Sequence, residues 1–290
     1  LDLLGNTGVI VTEAVETASE FLPAPYLVFS TRGRQKSVNQ EYRTASGGDF
    51  EDLPLVVLVD QGSASAAEAL AGSLQDNDRA IIAGRRTFGK ALMQTAFLVP
   101  DGMVELTIGH VIAPSGRYIQ RPYTGLQLEQ YYAFAGDSAW QDTTRIFKTV
   151  HGRPMRAGGG IAPDIALPAP PRVPRWFTVA ADSGWDRAVA DSVANTLSNT
   201  TGARSDWLKA ATTWEDRLLP PLLVRVRARL AVPAALDPIT RAAMGRRLAA
   251  ETAAVRWDEA TGRELSIAND PDVIAAIALF ARASEMLGKR

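Results

Sequence analysis

The spacing of apolar positions changes character along the chain, and the changes predict its elements. Leu1 to Leu4 is an apolar run ending in the turn cluster Gly5-Asn6-Thr7-Gly8, which reads as the end of a buried strand. From Thr12, TEAVETASEFL places Ala14, Val15, Ala18, Phe21 and Leu22 on one helical face, and Pro23 and Pro25 close that helix. Tyr26 to Ser30 reads as a short strand, and the polar stretch from Thr31 to Asp52 as a hairpin and surface loop. Leu55 to Val59, LVVLV, is apolar at every position. That pattern suits a strand covered on both faces, as in a parallel sheet.

Next come a Gly-Ser turn (DQGSAS), a small-residue helix from about Ala66 to Leu74, and a strand from Ala80 to Ala83. A Gly-Lys turn follows, then two strands, Gln94 to Val99 and Val104 to Val111, joined by a turn at Pro100-Asp101-Gly102. This order predicts an α/β layered core. Ala113 to Gly125 is rich in turn formers, and the stretch from there to His151 reads as a surface excursion. Ala157 to Asp164, AGGGIAPD, is a glycine turn.

The period then changes. Residues 168–175 are proline-rich and read as a stiff linker. Beyond them Trp185 to Leu197, Glu215 to Leu230, Asp237 to Val255 and Asp270 to Leu287 show helical spacing. Two of these open on Asp-Pro, an N-cap followed by proline at the first helical position. The expected organisation is a core over 1–167 and a mostly α-helical domain over 176–290. In that domain Trp185, Trp207, Trp214 and Trp257 read as packing residues. Its role is open between covering the catalytic face, forming a homo-oligomer and stabilising the core.

Composition narrows the chemistry. The 290 residues contain no cysteine, so thiol nucleophiles, disulfides and thiolate metal sites are excluded. The two histidines, His110 and His151, lack zinc-hydrolase spacing, and His110 reads as a half-buried structural residue. A net charge of -1 carries no electrostatic footprint for nucleic acid. No apolar run is long enough for an integral membrane span. Leu1 reads as lying inside a domain that begins earlier.

Ser65 and Lys90 stand at the two turns of the central stretch. Read locally, Ser65-Ala66-Ala67-Glu68 is a capping box, with Ser65 and Glu68 exchanging hydrogen bonds at a helix start. The same helix N-terminus can hold an acyl oxyanion, and small neighbours let a peptide approach. A serine nucleophile needs a base. A lysine serves if its surroundings lower its pKa from about 10.4. Lys90, after the permissive Gly89, is the available candidate, with Gln94 four residues on as a partner for its amine. A solvated turn lysine is the plainer reading of Lys90.

The segment LPLVVLVDQGSASAAEALAGSLQDNDRAIIAGRRTFGKALMQ resembles the core of the C-terminal processing (tail-specific) serine proteases. It matches a strand, then G-[ST]-A-S-A-x-E, then Q-D, then T-F-G-K-x-x-x-Q. PDGMVELTIGHVIAPSGRYIQ and the Gly158 to Asp164 segment extend the likeness to about residue 167. The resemblance implies a crotonase/ClpP-like fold, Ser65 as nucleophile, Lys90 as general base and Gln94 as its partner. It implies an oxyanion hole from the backbone of Ala66 and Val9. It further implies polypeptide substrates, no metal or organic cofactor, an extracytoplasmic (periplasmic or membrane-associated) location, and commonly a PDZ domain upstream. Two positions depart from the pattern: Leu4 stands where the family has arginine, and Val9 where it has a second glycine. These motivate a rival reading as a catalytically inactive, peptide-binding relic. A crotonase-like acyl-CoA enzyme would use neither Ser65 nor Lys90.

Overall fold

A computed structural model describes residues 1–45, 47–132, 142–171, 173–210 and 214–288. The chain divides into two compact units, 1–168 together with 275–290, and 169–274. The last helical stretch is therefore grouped with the first unit, not with the helical domain drawn over 176–290.

In the first unit α1 (Val11–Ser19) precedes an antiparallel pair, β1 (Leu27–Gly33) and β2 (Gln40–Arg43). The all-apolar run forms β3 (Val56–Val59), followed by α2 (Ala66–Asp76) and β4 (Ile81–Gly84). β3 and β4 run parallel and in register from Val56↔Ile81 to Val59↔Gly84. All eight of their residues are buried, which is why the run carries no polar alternation. β5 (Leu92–Val99) and β6 (Gly102–Ile112) form the expected hairpin, longer at both ends than its alternation suggested. β6 also pairs with β1, giving the order β2-β1-β6-β5.

After α3 (Leu128–Tyr132), β7 (Asp142–Lys148) pairs with β8 (Pro154–Ala157), so the excursion after Gly125 carries structure of its own. Its residues 133–141 lie outside the described residues. β9 (Ile165–Ala166) completes the parallel sheet β3-β4-β9. Leu1 to Leu3 lies along the other side of β3, where Leu3 N–H donates to Leu58 O and Leu58 N–H to Leu1 O, both at 2.9 Å.

α2 is buried along its whole length. Its alanines and glycine permit this, since they bring the helix axis close to its neighbours. A Cβ on Gly72 would sit 3.1 Å from Ile161 Cδ1. The charged end of α2 is bonded in place: Asp76 pairs with Arg117 at 2.8 Å, both side chains buried, and Arg117 also donates to Gln75 Oε1 at 2.7 Å. Arg79 donates to the carbonyls of Phe21, Phe50 and Leu53, so one buried guanidinium ties down the 21–53 crossover.

The second unit consists of helices: α4 (Arg175–Asp182), α5 (Trp185–Ala194), α6 (Thr201–Lys209), α7 (Trp214–Arg227), α8 (Pro238–Arg256), α9 (Glu259–Ala268) and the start of α10 (Pro271–Ile277). Its core holds Trp176, Phe177, Trp207, Trp214, Leu218, Leu222 and Leu248, with Trp185 and Trp257 packed against it. The four tryptophans read as packing residues are thus in the core or against it. Asp237 caps α8 by accepting from Thr240 N–H at 2.9 Å. Asp270 caps α10 likewise, accepting from Asp272 N–H at 2.8 Å. The stretch read as one helix from Asp270 to Leu287 is two, α10 and α11 (Phe280–Leu287). α4, α6 and α9 were not foreseen. They are short, and only the last has an N-cap aspartate, Asp258, accepting from Thr261 N–H at 2.6 Å.

Candidate active site

β3 delivers the chain into a tight loop whose carboxylate, Asp60, organises it. Asp60 Oδ1 accepts from the N–H groups of Gly62 at 2.9 Å and Gly5 at 2.8 Å. Ser63 Oγ donates to Leu3 O at 2.6 Å, and Ala64 N–H to Asn6 O at 2.9 Å. The loop before the candidate nucleophile and the segment Leu3 to Asn6 are therefore one hydrogen-bonded assembly.

Ser65 follows with φ 57° and ψ -118°. A positive φ at a residue carrying a Cβ is strained, of order 1–3 kcal/mol, and persists only where the surroundings over-determine it. An ordinary N-cap is extended. A sharp strand-to-helix turn with a serine at its strained apex is the arrangement that presents a hydroxyl to substrate in nucleophile elbows. Ala66 begins α2 directly after it. Among the described residues the Ala66 N–H donates to no protein acceptor.

Glu68 is the residue that local reading undervalued. It reaches back to Ser65 N–H at 3.0 Å, as a capping box requires. The same carboxylate also accepts from Lys90 N–H at 2.7 Å, Gly89 N–H at 2.7 Å and the Thr87 hydroxyl. A fully buried carboxylate thus clamps the Ser65 turn to the Lys90 turn. Burial pushes its pKa up to about 7, against the four donors, which favour the ionised form. The sequence signal for this role is the E of S-A-A-E, which local analysis assigns wholly to the cap.

The Lys90 turn is held on other sides too. Phe88 N–H donates to Ser63 O at 2.9 Å, and Arg121 N–H to Gly89 O at 2.9 Å. Ala91 N–H donates to Gln120 Oε1 at 2.7 Å, and Ile161 N–H to Thr87 Oγ1 at 2.7 Å. Gly89 has φ 87°, and a Cβ there would lie 2.9 Å from Gly160 N. The glycines of the 158–160 turn are therefore part of the Lys90 support.

Lys90, just before β5, and Leu92 and Gln94 within it line a cavity of ≈ 700 Å³. Thr7, Gly62 and Ala64 line it from the nucleophile side, and Phe88, Tyr123, Leu126, Tyr131 and Tyr132 complete it. Ser65 itself is half-buried at its edge, next to Ala64. Lys90 and Gln94 are exposed. Among the described residues neither Ser65 Oγ nor Gln94 is hydrogen-bonded to the Lys90 amine.

At the expected oxyanion segment, Val9 is 86% exposed and its N–H donates to no protein acceptor among the described residues. The residue that touches the start of α2 is Gly8, with φ 58°. A Cβ there would lie 2.6 Å from Ala66 N and 2.5 Å from Ala64 O. Sequence reading treated Gly8 as a turn former only. His110 accepts or donates at Nδ1 with the Tyr118 hydroxyl, 2.7 Å away, as a structural residue does.

A buried parallel sheet, a strained serine between strand and helix, and an apolar cavity containing a lysine meet in one α/β unit. Residues 1–129 match the model of peptidase family S41. Similar curated proteins include the carboxyl-terminal-processing protease of Synechocystis sp., 43% identical over 42% of this chain and 28% of its own length. The chloroplastic carboxyl-terminal-processing peptidase 1 of Arabidopsis thaliana is 36% identical over 40% of this chain and 24% of its own. Among solved structures, a photosystem II D1 C-terminal processing protease is 27% identical, with a TM-score of 0.41, over 58% of this chain and 33% of its own. The chain therefore spans about a quarter of the length of the curated relatives it matches.

Proposed function

We propose that this chain acts as a serine endopeptidase that cleaves polypeptides near their C-termini by a Ser-Lys mechanism. The observation that carries the reading is the Glu68 clamp. One buried carboxylate holds together the two turns that present Ser65 and Lys90, residues 25 positions apart in sequence (90 − 65 = 25).

In this mechanism Ser65 Oγ attacks the scissile carbonyl as its proton passes to neutral Lys90 Nζ. The oxyanion forms beside the unpartnered N–H of Ala66, at the positive end of α2, with Val9 N–H as the second donor. The C–N bond then breaks, Lys90 returns the proton to the leaving amine, and an acyl-Ser65 ester remains. Water, deprotonated by Lys90, hydrolyses that ester and restores Ser65. Lys90 is exposed and lines the apolar cavity, so a substrate filling that cavity covers its amine. Gln94, which lines the same cavity, is the proposed partner that orients the amine when substrate is bound. No metal or organic cofactor enters these steps, and an extracytoplasmic location accompanies the family resemblance.

The exposure of Lys90 equally favours a second reading, an inactive relic that still binds peptides. Hydrolysis of an unstructured polypeptide by the chain and its Ser65→Ala and Lys90→Ala variants separates the two. Loss of activity of at least about 10³-fold in both variants supports the dyad. Undiminished hydrolysis in either one sinks it, and no hydrolysis by the parent favours the relic.

A further inference from the structure

We propose that the hairpin arm of β5 and β6 is a dimerisation element. The outer edge of β5 pairs antiparallel with the same edge of a second copy of this chain, about a two-fold axis. The inference stands apart from the peptidase reading, since no residue of 95–107 lines the cavity.

Three observations carry it. The first is exposure. Every residue from Gln94 to Thr107 is exposed, so the arm is covered on neither face. It carries six large apolar side chains, Phe97, Leu98, Val99, Met103, Val104 and Leu106, with Leu98 89% and Met103 66% exposed. A two-stranded ribbon is marginal in water by itself, and an apolar surface of this kind marks an interaction site.

The second is the edge. β5 ends the sheet β2-β1-β6-β5, so one row of its N–H and C=O groups has no strand beside it. From Gln94↔Thr107 to Val99↔Gly102 its pairing with β6 runs without a bulge, and the strand holds no proline and no charged residue. Bulges, prolines and charges are the devices that keep an edge from accepting another strand. This edge has none of them between Gln94 and Val99.

The third is charge and symmetry, which choose the occupant. Residues 91–109 contain no Lys or Arg, and their only charges are Asp101 in the turn and Glu105 on β6. An anionic lipid surface would meet carboxylates alone. Two copies of β5 meet with no charge on either strand. In the resulting order β6-β5-β5-β6 the two Glu105 strands lie three strand spacings apart, about 14 Å, so like charges are not opposed. A two-fold axis normal to the sheet also keeps like faces together. Thr95↔Leu106 and Phe97↔Val104 share one face, and the second copy continues that face as a single apolar stripe.

The test is sedimentation velocity on the whole chain over a concentration series. The parent should be a dimer. Leu98→Lys and Thr95→Lys should weaken dimerisation at least about 30-fold, because each sets like charges across the axis. Both sites are exposed, and Val224→Lys, at an exposed position of the helical unit, should leave the dimer intact. The chain has no cysteine, so single-cysteine variants from Thr95 to Val99 form disulfides only between copies. Cross-linking under mild oxidation should peak at one position and fall away on both sides, as an antiparallel two-fold requires. A monomeric parent overturns the inference, and its flotation with phosphatidylcholine vesicles would assign the arm to a lipid surface instead. A dimer indifferent to both lysine variants, or cross-linking that is even along β5, also overturns it.

Discussion

The backbone N–H groups of Ser65 and Lys90 donate to one and the same atom, Glu68 Oε2, at 3.0 and 2.7 Å. The turn that carries the proposed nucleophile and the turn that carries the proposed base are thereby referenced to a single buried point. Packing alone would leave them to move with β3 and β5 separately. Four donors around one carboxylate make the clamp stiff, and burial makes it sensitive to ionisation.

Glu68 gives the stability of the core a definite pH dependence. Its folded-state pKa, about 7, lies above the usual 4.5. Between those values the folded chain keeps a proton that the unfolded chain has lost, so stability falls as pH rises from about 4.5 to 7 and levels above it. The fall amounts to about 3 kcal/mol. Urea unfolding at pH 5 and pH 8 should show this slope in the parent chain. In Glu68→Gln it should vanish on a lower baseline, because the amide turns a donor toward donors.

Gly8 is required for space as well as conformation. Gly8→Ala should displace the Leu1 to Val9 segment from the start of α2 and lower the proposed peptide hydrolysis at least about 10-fold, since a 1 Å misplacement costs on that order or more. Gly5→Ala is the control. Its φ is 64°, but nothing lies within 4 Å of an added Cβ, so it should cost only about 1 kcal/mol of backbone strain. Comparison of activity and melting temperature for the two variants checks this.

Arg117 should be intolerant of truncation. Its guanidinium neutralises Asp76, and both side chains are buried. Arg117→Ala leaves that carboxylate unpaired and should cost about 3–5 kcal/mol in chemical denaturation. The double variant Arg117→Met with Asp76→Leu should recover much of the loss, because burying neither charge avoids the desolvation cost.

In the helical unit Trp214 is fully buried, and its ring lies 6.4 Å from that of Trp207. Trp214→Ala should cost about 3–5 kcal/mol, the range for emptying an aromatic core site. The exposed N-cap change Asp237→Ala should cost far less. Thermal unfolding of both variants measures the contrast.

Much of this molecule is legible without coordinates, for identifiable reasons. Period and cap chemistry are local, so LVVLV announced a strand buried on both faces and Asp237-Pro238 announced a helix start. The order of motifs carried the resemblance to the C-terminal processing proteases, and with it the proposed pairing of Ser65 with Lys90. What depended on the fold were relations between residues distant in sequence but near in space. Glu68 reads locally as half of a capping box. Only the folding of the 87–90 turn over α2 makes it a clamp. Gly8 reads as a turn former until α2 arrives beneath it and leaves no room for a Cβ. The aromatic wall of Phe88, Tyr123, Tyr131 and Tyr132 has no period by which to find it, because its members come from a turn, a loop and a five-residue helix. Sequence by itself determined most of the elements of the first unit and the candidate residues of the site, through short-range propensity and motif spacing. Tertiary structure decided how those residues are held and what lies beside them, because hydrogen bonds and van der Waals contacts act over a few ångströms in space, whatever the distance along the chain.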